Sequence, residues 1–309
     1  MADEHDPRTT PASVRAELVA ALEASQGAEA DRARLTRAGA FLTRVVGRLR
    51  RPDTPMGPAA VRAAKHTRKV TSRFGFDDDV ADVFVALAAA IADEAADMWD
   101  DEQAEAEREH PRRGRTARLT AVADQARARA RLGSSFVDDV VPAVATGLAS
   151  FVPGLALRRP LTHPSVAVGA AVAGGLASTA MVGTSAVPVA LALSVVTEAA
   201  ETYAQGSVLV AKFRAEGIEP TAADLVDEMA ALGDGFLGRS RPEAAALLRT
   251  TALPRLASTL ERRVGVRVAS LATVVGPAVV EGGLVTWGLV KASRHRLRGR
   301  GDELPPTDG

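Results

Sequence analysis

The sequence predicts an all-α fold, namely a multi-helix bundle with a Gly/Ala-rich apolar helical hairpin and a glycine-containing C-terminal helix. Hydrophobic residues make up 47% of the chain, yet aromatic residues make up only 4%. Much of the hydrophobic share is alanine, which favours helices because its side chain loses no conformational freedom there. Apolar residues also recur three and four positions apart, as they do on the buried face of a helix.

Composition divides the chain into four regions. Residues 1–11 and 299–309 are polar, and we expect a disordered N-terminus and a disordered tail. Residues 12–132 are rich in charge and predict a region of amphipathic helices. Residues 133–298 are rich in glycine and alanine and predict an apolar helical domain.

The charge balance, the lack of cysteine and the lack of known catalytic motifs exclude several classes of function. The chain has 38 basic and 38 acidic residues, so as a whole it does not attract nucleic acid. It has no cysteine, which excludes disulfides and thiolate chemistry. The motifs of phosphate-binding loops, dinucleotide-binding turns, nucleophile elbows and helical zinc sites are not present. We therefore predict no catalytic residue, no cofactor, no metal site and no nucleic-acid partner.

The charged region contains two helices that suit each other as neighbours. The first is apolar along a stripe that includes Leu42 and Leu49, and it is rich in arginine, including Arg44 and Arg48. The second is acidic over residues 93–109. Opposite charge favours contact between them, although each exposed ion pair stabilises a protein only slightly.

The apolar half predicts a helical hairpin whose two arms are separated by a turn at residues 183–188. On the first arm, small residues four positions apart form a ridge that allows another backbone to approach closely. The second arm is expected to run from Val187 to Phe213. Glycines of the same kind recur in the C-terminal segment 268–290. The predicted helix-packing ridge comprises Ala167, Ala171, Gly175, Thr179, Gly183, Gly276 and Gly283.

Two helix starts are predicted between the hairpin and the C-terminal segment. Thr221 and Asp224 have the spacing of a capping box, which opens a helix through Leu232. Pro242 opens another helix that we expect to run to Arg263. The C-terminal apolar segment follows, from Val268 to Val290.

The C-terminal segment carries two charged features. Glu281 is its one charged residue and a candidate buried charge, either in an ion pair with Arg158 or Arg159 or as part of a polar site. The basic residues that follow resemble a cytoplasmic anchor and predict contact with anionic headgroups. This membrane-surface basic cluster comprises Lys291, Arg294, Arg296, Arg298 and Arg300. The hairpin arms are marginal in length for a bilayer core about 30 Å thick, so burial in a soluble core stays open.

The order of these features resembles the EcsC family of bacterial proteins over residues 165–298. In that family a glycine-rich stretch leads into a helix with an iA..YG-type segment, and a late iP.vGa..G...N stretch leads into a final helix with basic residues at its end. The first stretch is matched by GAAVAGGLASTAMVGTSAVPVALALSVVTEAAETYAQG (169–206), in which ETYAQG holds the tyrosine. The second is matched by RRVGVRVASLATVVGPAVVEGGLVTWGLVKASRHRL (262–297).

The match departs from the family pattern at three points. Gln205 lies between Tyr203 and Gly206, a proline follows Gly276 instead of preceding it, and Trp287 lies near the expected asparagine. The resemblance implies a non-enzymatic regulator or membrane-associated protein of a family named after an ABC-transporter operon. It supplies no catalytic residue.

These observations together predict a non-enzymatic, membrane-associated protein with a regulatory or scaffolding role. We expect it in the cytoplasm, peripheral or integral at the inner face of the cell membrane, with a lipid surface or a membrane protein as partner. Two alternatives stay open. One is a pore-forming or membrane-perturbing effector that sequesters the apolar hairpin. The other is an enzyme of unknown reaction that uses Glu281 with an arginine.

Overall fold

The structure, a computed structural model, describes residues 11–29, 36–109, 128, 131–162, 187–234 and 252–271. Within these ranges the regular elements are helices and there is no strand, which confirms the predicted all-α bundle. A π-helical turn, Phe136–Val140, leads into the fifth α-helix. The α-helices are α1 (Pro11–Glu29), α2 (Thr36–Arg50), α3 (Pro58–Phe74), α4 (Asp78–Glu109), α5 (Val141–Arg158), α6 (Val187–Ala215), α7 (Ala222–Asp234) and α8 (Ala252–Leu271).

Helix α6 lies at the centre of the bundle. It packs against α3, α4, α5, α7 and α8, and almost every residue from Pro188 to Val210 is buried. A helix that is apolar on most of its faces is stable only when other elements surround it. The helix predicted from Val187 to Phe213 is confirmed, since α6 begins at Val187 and continues past Phe213. The first arm of the predicted hairpin lies outside the described residues.

One hydrophobic cluster joins helices from the charged and the apolar regions. It includes Leu18 and Leu22 of α1, Phe84 of α4, Leu148 of α5 and Leu209 of α6. Helix α1 packs along α5, and α4 packs along α6. The amphipathic helices α1 to α4 therefore cover one side of the apolar helices α5 and α6.

The predicted capping box at the start of α7 is confirmed. The Thr221 backbone N–H donates to Asp224 Oδ2 at 2.9 Å, and the Asp224 N–H donates to Thr221 Oγ1 at 3.2 Å. These bonds satisfy backbone donors that have no partner within the helix.

The predicted end of a helix at Arg263 is wrong, because α8 runs without a break from Ala252 to Leu271. Gly265 lies inside the helix, where a glycine costs only about 1 kcal/mol relative to alanine. The buried stripe of Leu260, Val264 and Val268 continues across it and holds the helix together.

Two glycines mark the closest approaches between helices. A Cβ atom added at Gly147 of α5 would lie 2.7 Å from Leu22 Cδ2 and 3.2 Å from Leu22 Cα of α1. A Cβ atom added at Gly206 of α6 would lie 2.9 Å from the Ala156 Cβ of α5. At both positions the absence of a side chain lets neighbouring helices lie in contact.

We predict that Gly147→Ala lowers the free energy of unfolding by about 1–3 kcal/mol, because the α1 backbone must move to admit the methyl group. Gly47→Ala in α2 is the matched control. Nothing lies within 4 Å of a Cβ atom at Gly47, so this change should raise stability by up to about 1 kcal/mol. Urea unfolding followed by circular dichroism measures both values. Equal effects of the two substitutions would contradict the packing described here.

The core also contains an ion pair. Arg263 Nη1 of α8 donates to Glu198 Oε1 of α6 at 2.9 Å, and the two side chains are only 7% and 1% exposed. Removing one partner of such a pair leaves a buried charge uncompensated.

We predict that Glu198→Leu lowers the free energy of unfolding by about 3–5 kcal/mol, because the Arg263 guanidinium is left buried without this carboxylate. The double variant Glu198→Leu/Arg263→Met removes both charges and should recover most of the loss. Denaturant unfolding of the wild type and both variants measures the difference. A single variant as stable as the wild type would show that the pair is not held in the core.

Candidate functional site

An open cavity of about 570 Å³ lies among α2, α3, α4 and the loop that joins α2 to α3. Volumes of this size are typical of pockets that bind small molecules. Helix α1 contributes Arg15 to its wall. The lining residues are Arg15, Arg48, Leu49, Arg51, Pro52, Thr54, Met56, Ala64, Lys65, Arg68, Asp82, Val85, Ala86, Ala89, Ala90 and Asp93.

The lining has an excess of positive charge. Five of the lining side chains are basic and two are acidic, and ion pairs engage both carboxylates. Arg48 Nη1 lies 2.7 Å from Asp93 Oδ2, and Arg68 Nη2 lies 2.9 Å from Asp82 Oδ1. The other three basic residues have no ion pair within the part of the chain that the structure describes. These are Arg15, Arg51 and Lys65.

The inner edge of the cavity is held by a network between α2 and α4. Arg48 Nε donates to Glu94 Oε1 at 2.7 Å, and Arg44 donates to the other oxygen of Glu94. Burial of the Arg48 side chain would lower its pKa, but hydrogen bonding to Glu94 and the charge of Asp93 outweigh this, so its pKa is raised and it stays charged. The predicted pairing of the arginine-rich and acidic helices is thereby confirmed at these residues.

Asp93 also fixes the loop that forms the cavity mouth. The Gly57 backbone N–H, which precedes Pro58 at the start of α3, donates to Asp93 Oδ1 at 3.1 Å. A Cβ atom at Gly57 would lie 2.5 Å from that oxygen, so a larger residue here would force the Asp93 carboxylate to shift. We call the contacts of Asp93 with Gly57 and Arg48 the loop latch.

The floor of the cavity is apolar and its mouth is exposed. Alanines at positions 86, 89 and 90 recur along one face of α4, and Ala64 faces them from α3. At the mouth, Met56 is 56% exposed. Val61, one turn into α3, is 50% exposed. The site thus combines unpaired cations with hydrocarbon surface, a combination that suits an amphipathic anion.

Tyr203, the tyrosine of the ETYAQG segment, is a structural donor. Its buried hydroxyl donates to the backbone carbonyl oxygen of Arg159, just after α5. Its ring packs edge-to-face on Phe76 with centroids 4.9 Å apart. Burial raises the pKa of the hydroxyl above its usual range, and the charge of Asp77 raises it further. The group therefore stays protonated and is not set up as a base.

The arginines proposed as partners of Glu281 have other partners in the structure. Arg158 pairs with Glu17 of α1, and Arg159 Nη1 lies 3.0 Å from Asp79 Oδ2 of α4. Both pairs join the end of α5 to the charged region.

The site residues predicted from the sequence lie outside the described residues, and so do the predicted disordered tail 299–309 and residues 1–10 of the predicted disordered segment 1–11. The last residue of that segment, Pro11, is the first residue of α1. Sequence analysis did not identify Arg15, Arg51 or Lys65. The arginine-rich stretch that ends at Arg51 was a signal for that residue alone, and no sequence pattern indicated Arg15 or Lys65. The predicted residues outside the described ranges are Ala167, Ala171, Gly175, Thr179, Gly183, Gly276, Glu281, Gly283, Lys291, Arg294, Arg296, Arg298 and Arg300.

Helix α5 is the one helix of the described ranges that is long and apolar enough to cross a bilayer by length and composition. Within it, 67% of the residues are buried inside the protein, and Pro153 lies in its interior. A core helix of a soluble protein has the same properties. In the same ranges, no group of three or more histidine, aspartate or glutamate side chains is placed to hold a metal ion.

No protein-family model, curated protein sequence or solved structure matches this chain. The resemblance to the EcsC family therefore rests on the sequence segments alone.

The imidazole of His66 reports the positive potential of α3. Burial lowers its pKa below the usual 6.5, and the charges of Lys69 and Lys65 lower it further. Because the folded state holds the proton less tightly than the unfolded chain, His66 stabilises the fold fully above pH 6.5. This contribution is lost as the pH falls through the folded-state pKa.

We predict that Lys65→Gln raises the pKa of His66 towards 6.5, because one of the nearby positive charges is removed. Arg214→Gln, at the exposed end of α6, is the control and should leave the pKa of His66 unchanged. A pH titration of the histidine ring protons by NMR, with His66→Gln to assign the signal, measures both. An unchanged pKa in the Lys65 variant would show that the charge of Lys65 does not act on His66.

Proposed function

We propose that this protein is a non-enzymatic, membrane-associated helical protein with a regulatory or scaffolding role, and that it docks on anionic lipid through the cavity face. The cavity face consists of the lining residues Arg51, Met56 and Lys65 together with Val61. The observation that carries the proposal is the group of cations without ion pairs around an open cavity with an apolar floor.

Electrostatics and exposed apolar side chains both support docking. A basic side chain near an anionic bilayer contributes about 1 kcal/mol of binding free energy, and Arg51 and Lys65 are exposed and available for it. Met56 and Val61 add hydrocarbon that can enter the headgroup region, as apolar residues of peripheral proteins do. An apolar floor also favours lipid over nucleic acid, which would need stacking rings or a long basic groove.

The sequence provides further support. The predicted basic cluster from Lys291 to Arg300 would give a second contact with anionic headgroups. We also propose that the EcsC-like segments 169–206 and 262–297 form apolar helices that pack closely through their glycines. The non-enzymatic part rests on the sequence, which carries none of the catalytic motifs named above. At the cavity, Asp82 and Asp93 both lie in ion pairs.

Co-sedimentation with vesicles tests the proposal. The wild-type protein should bind vesicles that contain phosphatidylglycerol and should bind vesicles of phosphatidylcholine at least tenfold more weakly. Arg51→Gln/Lys65→Gln should weaken binding to the anionic vesicles roughly 30-fold, as expected for about 2 kcal/mol from two cations. Higher salt should weaken the wild-type binding as well.

Arg108→Gln/Arg262→Gln is the matched control, because it removes the same charge from exposed positions outside the cavity. It should bind anionic vesicles within about twofold of the wild type. Equal loss in both double variants would mean that total charge, and not this face, determines binding. Release of a dye from the vesicles would instead favour the pore-forming alternative.

A further inference from the structure

The cavity has separate polar and apolar walls, which restricts the chemistry of its occupant. Basic residues come from α1, α2, the α2–α3 loop and α3. The face provided by α4 consists of three alanines, one valine and two aspartates that are held in ion pairs. An inorganic anion would leave the apolar wall in contact with water, and a neutral hydrocarbon would leave the cations without a partner. A molecule with one anionic end and one hydrocarbon end matches both walls.

The room for hydrocarbon arises from small side chains. Ala86, Ala89 and Ala90 lie on one face of α4, and Ala64 of α3 also lines the cavity. Leucine at these positions would fill the space between the helices. Alanine at these positions therefore leaves room for an alkyl chain.

The charges define the head of the occupant. Because Asp82 and Asp93 already engage Arg68 and Arg48, the positive charge without an internal counterpart lies on the remaining three basic residues, Arg15, Arg51 and Lys65. Arg15 Nε is moreover buried and has no hydrogen-bond partner within the described part of the chain. Buried donors of this kind are normally satisfied by a side chain, water or ligand.

We propose that the cavity binds one anionic amphiphile, with its phosphate or carboxylate head against Arg15, Arg51 and Lys65 and a single alkyl chain along the alanine face of α4. This inference builds on the proposed function, because the same face would meet the bilayer. The amphiphile can come from the membrane as a lipid or from solution as a free acyl or alkyl anion. The chemistry recognised is the same in both cases.

Isothermal titration calorimetry with decyl phosphate, below the concentration at which it forms micelles, tests the binding of the free amphiphile. One molecule should bind per chain. Inorganic phosphate, which lacks the chain, and decyl maltoside, which lacks the charge, should each bind at least tenfold more weakly. Maltoside binding as tight as that of decyl phosphate would overturn the assignment of the head site.

Ala86→Trp separates this inference from membrane docking, because it fills the cavity and leaves every surface charge in place. It should weaken decyl phosphate binding at least tenfold and leave vesicle binding unchanged. Ala104→Trp, at an exposed position of the same helix, is the control and should bind decyl phosphate as the wild type does. The smaller Ala86→Met is used if the tryptophan variant fails to fold by circular dichroism.

Each failure points to a different proposal. If vesicles bind and depend on Arg51 and Lys65, but decyl phosphate does not bind, the cavity inference is wrong and membrane docking stands. If decyl phosphate binds and Ala86→Trp abolishes this, but vesicles do not bind, the cavity inference stands with a soluble ligand and membrane docking is wrong. Unchanged decyl phosphate binding in a folded Ala86→Trp protein would place the ligand elsewhere and overturn the inference.

Discussion

Burial of α6 on nearly all its faces is the constraint on which the rest of the bundle depends. This helix carries Glu198, Glu201 and Gln205 into the interior among apolar residues. A buried carboxylate is tolerated only where a partner meets it, and for Glu198 that partner is Arg263 of α8. The ion pair thereby selects which helix covers this side of α6, whereas apolar packing alone would accept several arrangements.

Arginine has three different surroundings in this protein. In the core, Arg263 is matched by one glutamate, and at the α2–α4 contact Arg44 and Arg48 are matched by buried carboxylates. At the cavity, by contrast, Arg51 lies near other cations and has no ion pair in the described ranges. Matched charges hold the helices together. An excess of one sign at an open cavity serves no such purpose and points to a charged ligand.

Sequence patterns predicted those parts of the fold that depend on local spacing. The capping box at Thr221 depends on residues three positions apart, and the buried face of α2 depends on helical periodicity. Both could therefore be predicted from the sequence. The continuity of α8 could not be predicted in this way. Gly265 lowers the stability of the helix by less than the burial of its neighbours raises it. The cavity was also not accessible, because its walls combine positions from Arg15 to Asp93 that only the tertiary fold brings together.

Alanine and glycine have opposite consequences at the two sides of this bundle. Where α5 meets α6, Gly206 lies so close to the Ala156 side chain that an added Cβ atom would clash with it, so small residues let these two helices pack closely. At the cavity, small residues of the closely packed helices α3 and α4 line open space beside α2 and the α2–α3 loop instead. The loop latch explains the difference: Asp93 holds the start of α3 through Gly57 and the end of α2 through Arg48, which fixes the spacing of the three helices at the mouth. With the end of α2 and the α2–α3 loop held in place by these contacts, they do not close over the alanines of α4, and a cavity persists.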